Sequence, residues 1–149
     1  LKIKTDSREQ RPLDFPESEV VTMPYGDYGG CWDCGAGMPI VFERKGFSDL
    51  WTTLGNGEGH ERFKRELERA KADKVKLVLV VEATMNEVYA GHPRAKMLGT
   101  TMMKKLFTFW VKYDLQVMFF NNRSDMKRYI IETFEAIERN YQPKTEVRL

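Results

Sequence analysis

The chain has 149 residues, 42% of them hydrophobic, which suffices for one domain with one core, spanning 1–149, and leaves little room for a second. Lys and Arg number 24 against 22 Asp and Glu, so the net charge of +2 does not by itself point to a nucleic-acid partner. The two cysteines, Cys31 and Cys34, are too few for a disulfide scaffold and for the four ligands a structural zinc needs, which leaves their glycine-ringed stretch as a plain loop.

No apolar run approaches the roughly 20 residues that cross a bilayer, and the start lacks a signal-peptide pattern. An intracellular protein is expected, cytoplasmic in a bacterial or viral source and nuclear in a eukaryotic one. In chain order, short apolar segments predict strands at Ile3 and at Val20-Val21. Gly29-Gly30 and Gly35-Ala36-Gly37 bracket a turn, so the strand holding Asp27 and the strand through Ile40-Val41-Phe42 and Glu43 should form a hairpin. Gly55-Asn56-Gly57-Glu58-Gly59 reads as a mobile loop. Phe63, Leu67 and Ala70 recur at helical spacing, with Glu61 four residues before Arg65.

Leu77 to Val81 is apolar on both faces, as a central strand covered by helices on each side would be. Met102, Leu106, Phe109 and Tyr113 mark the next helix, Val117 to Phe120 another strand, and Met126, Ile130, Phe134 and Ile137 a last helix with Ser124 as its N-cap. Gln142-Pro143-Lys144 should leave that helix. The fold class is therefore α/β, a central sheet flanked by helices. From Val88 to Tyr113 the charged side chains are Arg94, Lys96, Lys104, Lys105 and Lys112, with no acid among them, a basic stripe that reads either as a solvated face or as a phosphate-gripping one.

Pro39-Ile40-Val41-Phe42-Glu43-Arg44-Lys45 places a charged triplet directly after an apolar strand. Strand alternation puts Glu43 and Lys45 on one face and Arg44 on the other, and the hairpin can bring Asp27 beside them. Two carboxylates can hold a hard divalent cation, and a lysine can orient or deprotonate water, which together suit phosphodiester hydrolysis. Glu-x-Lys alone is common, and taken by itself it reads first as a surface salt bridge.

Three ordered motifs add weight: Asp6-Ser7-Arg8-Glu9, Gly26-Asp27-Tyr28, and Glu43-Arg44-Lys45 followed after three residues by Asp49. Together they resemble the XPF-type nuclease domains of DNA repair, closely over Ile3 to Glu82 and beyond it by order of elements. The resemblance implies a restriction-endonuclease-like core with a mixed sheet, Asp27 and Glu43 as metal ligands and Lys45 beside the attacking water. Asp6, Arg8 and Glu9 match positions lining the same site, where Asp6 could hold a second metal; a structural ion-pair network is the alternative. Arg44 would brace the fold, with its carbonyl free to face the metal. Asp49 serves either the site or the start of a helix. Where the family has Arg followed four residues later by Gln, this chain has Arg62 and Glu66. Glu66 is then a third acid near the site or, the reading preferred here, a solvent-exposed charge.

The resemblance further implies a magnesium-dependent endonuclease, manganese substituting, that cuts DNA at forks, flaps or junctions and leaves the phosphate on the 5′ end. A nonspecific nuclease and a non-catalytic DNA-binding scaffold of the same fold are the alternatives. No tandem helix-hairpin-helix module is expected after Tyr141, so Arg62, Lys96, Lys104 and Lys105 should carry the DNA grip. Apolar residues around Phe107, Trp110 and Val111, and around Tyr129, Ile130 and Ile131, exceed one core-facing stripe. They suggest a homodimer or heterodimer, as the resemblance does, or else a helix buried within one chain.

Overall fold

The β-branched and aromatic segments fall into one sheet, and the periodic segments into helices on its two faces. The computed structural model describes residues 1–143; Lys144 of the expected tail lies outside them. The elements run β1 (Lys2–Asp6), β2 (Ser18–Val21), β3 (Tyr28–Cys31), β4 (Gly37–Gly46), α1 (Phe47–Leu54), α2 (Gly57–Ala72), β5 (Lys76–Glu82), α3 (Met85–Ala90), α4 (Gly99–Tyr113), β6 (Gln116–Phe119) and α5 (Arg123–Asn140).

The sheet is mixed, in the order β2-β1-β3-β4-β5-β6. β4, β5 and β6 are parallel, while β3 is antiparallel to both β1 and β4. Parallel strands need crossovers, and α1 with α2 supplies one and α3 with α4 the other. The expected hairpin is the β3–β4 pair, with Tyr28 opposite Phe42. Asp27 sits just before β3 rather than within it.

Alternation along β5 divides the core. Leu77, Leu79 and Val81 pack against α1, α2 and α4 through Leu50, Phe63 and Leu106. Val78 and Val80 face α5, where Phe42, Ile130 and Phe134 close the second core. Burial of both faces of β5 is what its unbroken apolar run predicts.

Two local expectations change. The glycine-rich loop shortens to Gly55 and Asn56, because the Asn56 side chain accepts from Gly59 N at 2.7 Å and starts α2 at Gly57. Gly59 is required there, since a Cβ would lie 1.9 Å from the Thr53 carbonyl oxygen. Asn122, not Ser124, caps α5, accepting from Asp125 N at 2.8 Å; Ser124 falls in the first turn. Among the described residues no helix is long and apolar enough to cross a membrane.

Candidate active site

β4 carries its apolar residues Val41 and Phe42 into the two cores and then delivers Glu43, Arg44 and Lys45 at its C-terminal end, beside the start of β3. The Gly26-Asp27 turn is locked there by backbone bonds, Asp27 N donating to Phe42 O at 2.7 Å and Asp6 N to Asp27 O at 2.8 Å. Gly26 has φ +73° and a Cβ on it would come within 2.1 Å of Val41 Cγ1, so only glycine fits this turn. The Asp27 carboxylate folds back to accept from Arg44 N at 2.7 Å.

Asp27, Glu43, Lys45, Asp49 and Thr53 line a polar cleft of about 220 Å³, with Arg8, Glu9 and Arg44 at its other side. Glu43 is buried, and Lys45 Nζ donates to its Oε1 at 3.0 Å. Burial pushes the Asp27 carboxyl up to about 6, with Glu9 and Glu66 adding repulsion against the Arg44 N–H bond. Burial and then the Asp27 charge push Glu43 well above the carboxylate range. Burial opposes the Lys45 ammonium, but Glu43 and Asp27 outweigh it and hold its pKa above the ordinary value. Carboxyls raised by burial and by neighbouring acids mark a place where negative charge is not fully balanced by the protein.

On the opposite face of the same strand charge is balanced. The Arg44 guanidinium makes two bonds to Glu9, Nε to Oε2 at 2.8 Å and Nη2 to Oε1 at 2.6 Å, and a third from Nη1 to Glu82 Oε1 at 3.0 Å. Tyr28 OH donates to Glu9 Oε2 at 3.0 Å, and Arg123 also holds Glu82. Burial alone would raise the Glu9 carboxyl, but the bonds from Arg44 and Tyr28 hold it below the usual range.

The cleft thus joins six of the residues singled out from the sequence: Glu9, Asp27, Glu43, Arg44, Lys45 and Asp49, with Arg8 at the rim. Asp49 is exposed in the first turn of α1 and makes no cap bond, so it serves the cleft wall and the helix dipole together. Asp6 does not line the cleft. Its carboxylate accepts from Arg8 Nε at 2.9 Å and Met23 N at 2.9 Å, a staple between β1 and the segment after β2, and these bonds overcome its burial to lower its pKa.

Glu66, read from the sequence as a solvent charge, is brought to this site instead. It is half-buried, its Oε1 accepts from Gly26 N at 2.7 Å, and it raises the pKa of both Asp27 and Glu43. The departure from the family's Gln is the signal that marks it. The basic residues scatter more widely. Arg62 is exposed and pairs with Glu58, Lys96 and Lys104 are exposed, and Lys105 is drawn inward, its Nζ donating to Leu54 O at 2.8 Å where α1 leaves an unpaired carbonyl. None of the four lines the cleft.

Two carboxylates on one cleft fit a hard divalent cation, which takes one or two protein carboxylates and keeps waters. Among the described residues no group of three or more His, Cys, Asp or Glu is arranged so that it could hold a metal ion. That holds for Cys31 and Cys34 as well, the first buried in β3 and the second exposed in the following turn.

The ERCC4 domain model matches residues 5–133. No curated protein sequence matches the chain. Among solved structures, XPF from Aeropyrum pernix superposes with a TM-score of 0.62 at 20% identity, over 93% of this chain and 67% of that one. XPF from the same organism in complex with DNA gives 0.65 at 18% identity, over 99% and 68%. These likenesses carry the fold, a restriction-endonuclease-like arrangement with a mixed six-stranded sheet flanked by helices.

Proposed function

This chain belongs to the ERCC4-domain family, the XPF-type nucleases, and from that premise we propose that it is a magnesium-dependent endonuclease cutting DNA at forks, flaps or junctions. The observation that carries the reading is the cleft where the Asp27 and Glu43 carboxyls, both raised by burial and Glu43 further by the Asp27 charge, meet beside Lys45. Asp27 and Glu43 would hold Mg²⁺, with Mn²⁺ as a substitute. Bound there, the cation supplies charge stabilisation at the scissile phosphate and a water of lowered pKa.

The chain's own residues divide the remaining work. Arg44 N fixes the Asp27 carboxylate, and Lys45, already tethered to Glu43, keeps an ammonium in the cleft for the attacking water or the phosphate oxygens. Arg44 and Glu9 brace the strand end, Asp6 and Arg8 brace the neighbouring turn, and Asp49 and Arg8 bound the cleft. The intact Asp27, Glu43 and Lys45 favour catalysis over a scaffold that only binds DNA.

We further assign α4 to a homodimer or heterodimer contact. Phe107, Trp110 and Val111 are exposed on α4, Val111 at 83%, and an apolar groove of about 340 Å³ runs from Phe107 and Trp110 to the open edge of β6. The apolar breadth of α5 has another cause: Tyr129 packs on Phe42 and Phe120 within the chain. Sedimentation of the wild type as a dimer, and of Trp110→Glu as a monomer, is the expected result.

The function is tested by cleavage of forked, flapped, four-way and linear duplex DNA with and without Mg²⁺. Cutting of the branched substrates in Mg²⁺ alone, with 5′-phosphate products, is expected. Equal cutting of linear duplex would make the enzyme a nonspecific nuclease, and no cutting in Mg²⁺ or Mn²⁺ would make it a binding scaffold.

A further inference from the structure

Glu66 stands on α2, far in sequence from the motifs of the cleft, yet it touches the turn that carries Asp27. Its Oε1 accepts from Gly26 N at 2.7 Å. The turn is already held by Asp27 N bonded to Phe42 O at 2.7 Å and by Asp27 O bonded to Asp6 N at 2.8 Å, and the bond from α2 fixes the Gly26 side of it. The Asp27 carboxylate is the next group along the chain. A glutamine at position 66, as the family pattern has it, could accept the same N–H bond but would bring no charge.

Charge is what distinguishes the acid. Asp27, Glu43 and Glu66 face one ammonium, Lys45, which is already bonded to Glu43, while the nearby Arg8 guanidinium is taken by Asp6 and the Met23 carbonyl. A third carboxylate next to two buried ones is costly until a cation arrives, and a multivalent cation gains from every negative charge close to it. The same charge repels DNA phosphates while the cation is absent.

We propose that Glu66 is a positioning residue for the cation. It holds the Gly26-Asp27 turn through the Gly26 amide and adds a carboxylate charge that tightens divalent-metal binding and weakens metal-free DNA binding. The proposal rests on the metal-nuclease reading above. It makes cation occupancy, rather than DNA contact alone, the condition for tight DNA binding.

The experiment compares wild type, Glu66→Gln and Glu66→Ala, with circular dichroism as the check on folding. Mn²⁺ is titrated calorimetrically without DNA, and a labelled forked DNA is titrated in EDTA at one fixed salt concentration. Glu66→Gln should weaken Mn²⁺ binding about tenfold or more, yet bind forked DNA in EDTA more tightly than wild type. Glu66→Ala, which also loses the Gly26 bond, should weaken Mn²⁺ binding further. A role in stability alone would not move the two affinities in opposite directions. Glu66→Gln equal to wild type in both titrations, or weaker in both, would overturn the proposal and leave the metal site standing. Wild type that binds no Mn²⁺ would overturn the metal reading and this proposal with it.

Discussion

Successive residues of β4 meet opposite electrostatic environments. On one face Glu43 joins Asp27 and Glu66 against Lys45, with the Arg8 guanidinium nearby but bonded to Asp6, and the Asp27 and Glu43 pKa values rise. On the other, Arg44 meets Glu9 and Glu82, each hydrogen-bonded, and the Glu9 pKa falls. Glu43 and Arg44 are both buried, at 6% and 7% exposure, and burial acts to raise the carboxyls of Glu43, Asp27 and Glu9 alike. What separates them is whether the protein supplies the counter-charge. A balanced pair fixes structure, and an unbalanced one lowers apo stability in exchange for a place where an external cation belongs.

Removing one partner from the balanced face should have the largest effect. Arg44→Met leaves Glu9 buried without its guanidinium and should cost about 3–5 kcal/mol of unfolding free energy by urea denaturation. The double variant Glu9→Leu with Arg44→Met should recover much of that loss, because no lone charge remains. Recovery failing while the fold is intact would mean that Arg44 serves more than its partner acid.

On the unbalanced face Lys45→Ala should lower single-turnover cleavage in Mg²⁺ by about 10²-fold or more, since charge stabilisation at the reaction centre is lost. The fold, held by the apolar strands, should persist, and Mn²⁺ binding should remain.

The pH dependence sharpens the contrast. Asp27 has a folded pKa of about 6 against an ordinary 3.8, so the metal-free protein binds its proton more tightly folded than unfolded. That contribution is full below about pH 4 and is lost as pH rises through about 6, on the order of 2 kcal/mol after allowance for partial exposure. Glu9, with its pKa lowered, works in the opposite sense and loses its contribution as pH falls through its folded pKa. Melting in EDTA across pH 4 to 8 should therefore show the Asp27 loss, and Asp27→Asn should flatten it.

The division between the faces was legible because it lies within neighbouring residues. Alternation along a strand sends Glu43 and Arg44 apart whatever the rest of the fold does, and Gly26 before Asp27 signals a constrained turn. The sequence left Glu66 between a third acid near the cleft and a solvent charge, because its place depends on how α2 is rotated over the sheet and its helix is rich in exposed Glu and Arg. The place of Lys105 was hidden for a related reason: the basic stripe is a feature of sequence, but the Leu54 carbonyl at the end of α1 accepts from this one of its lysines. The parallel pairing of β2 with β1 likewise depends on contacts far apart in the chain. Lys104, left exposed, should make only a phosphate contact. Lys104→Ala should weaken DNA binding alike for all sequences and reduce the salt slope by about one, the smallest of these effects.

The central claim is that the cleft acids are held uncompensated for a cation. Thermal melting of wild type and Asp27→Asn at pH 8, in EDTA and then in Mg²⁺, tests it directly. Asp27→Asn should melt above wild type in EDTA, and Mg²⁺ should raise the melting temperature of wild type while leaving the variant nearly unchanged. Asp27→Asn melting below wild type in EDTA, or both proteins gaining equally from Mg²⁺, would contradict it.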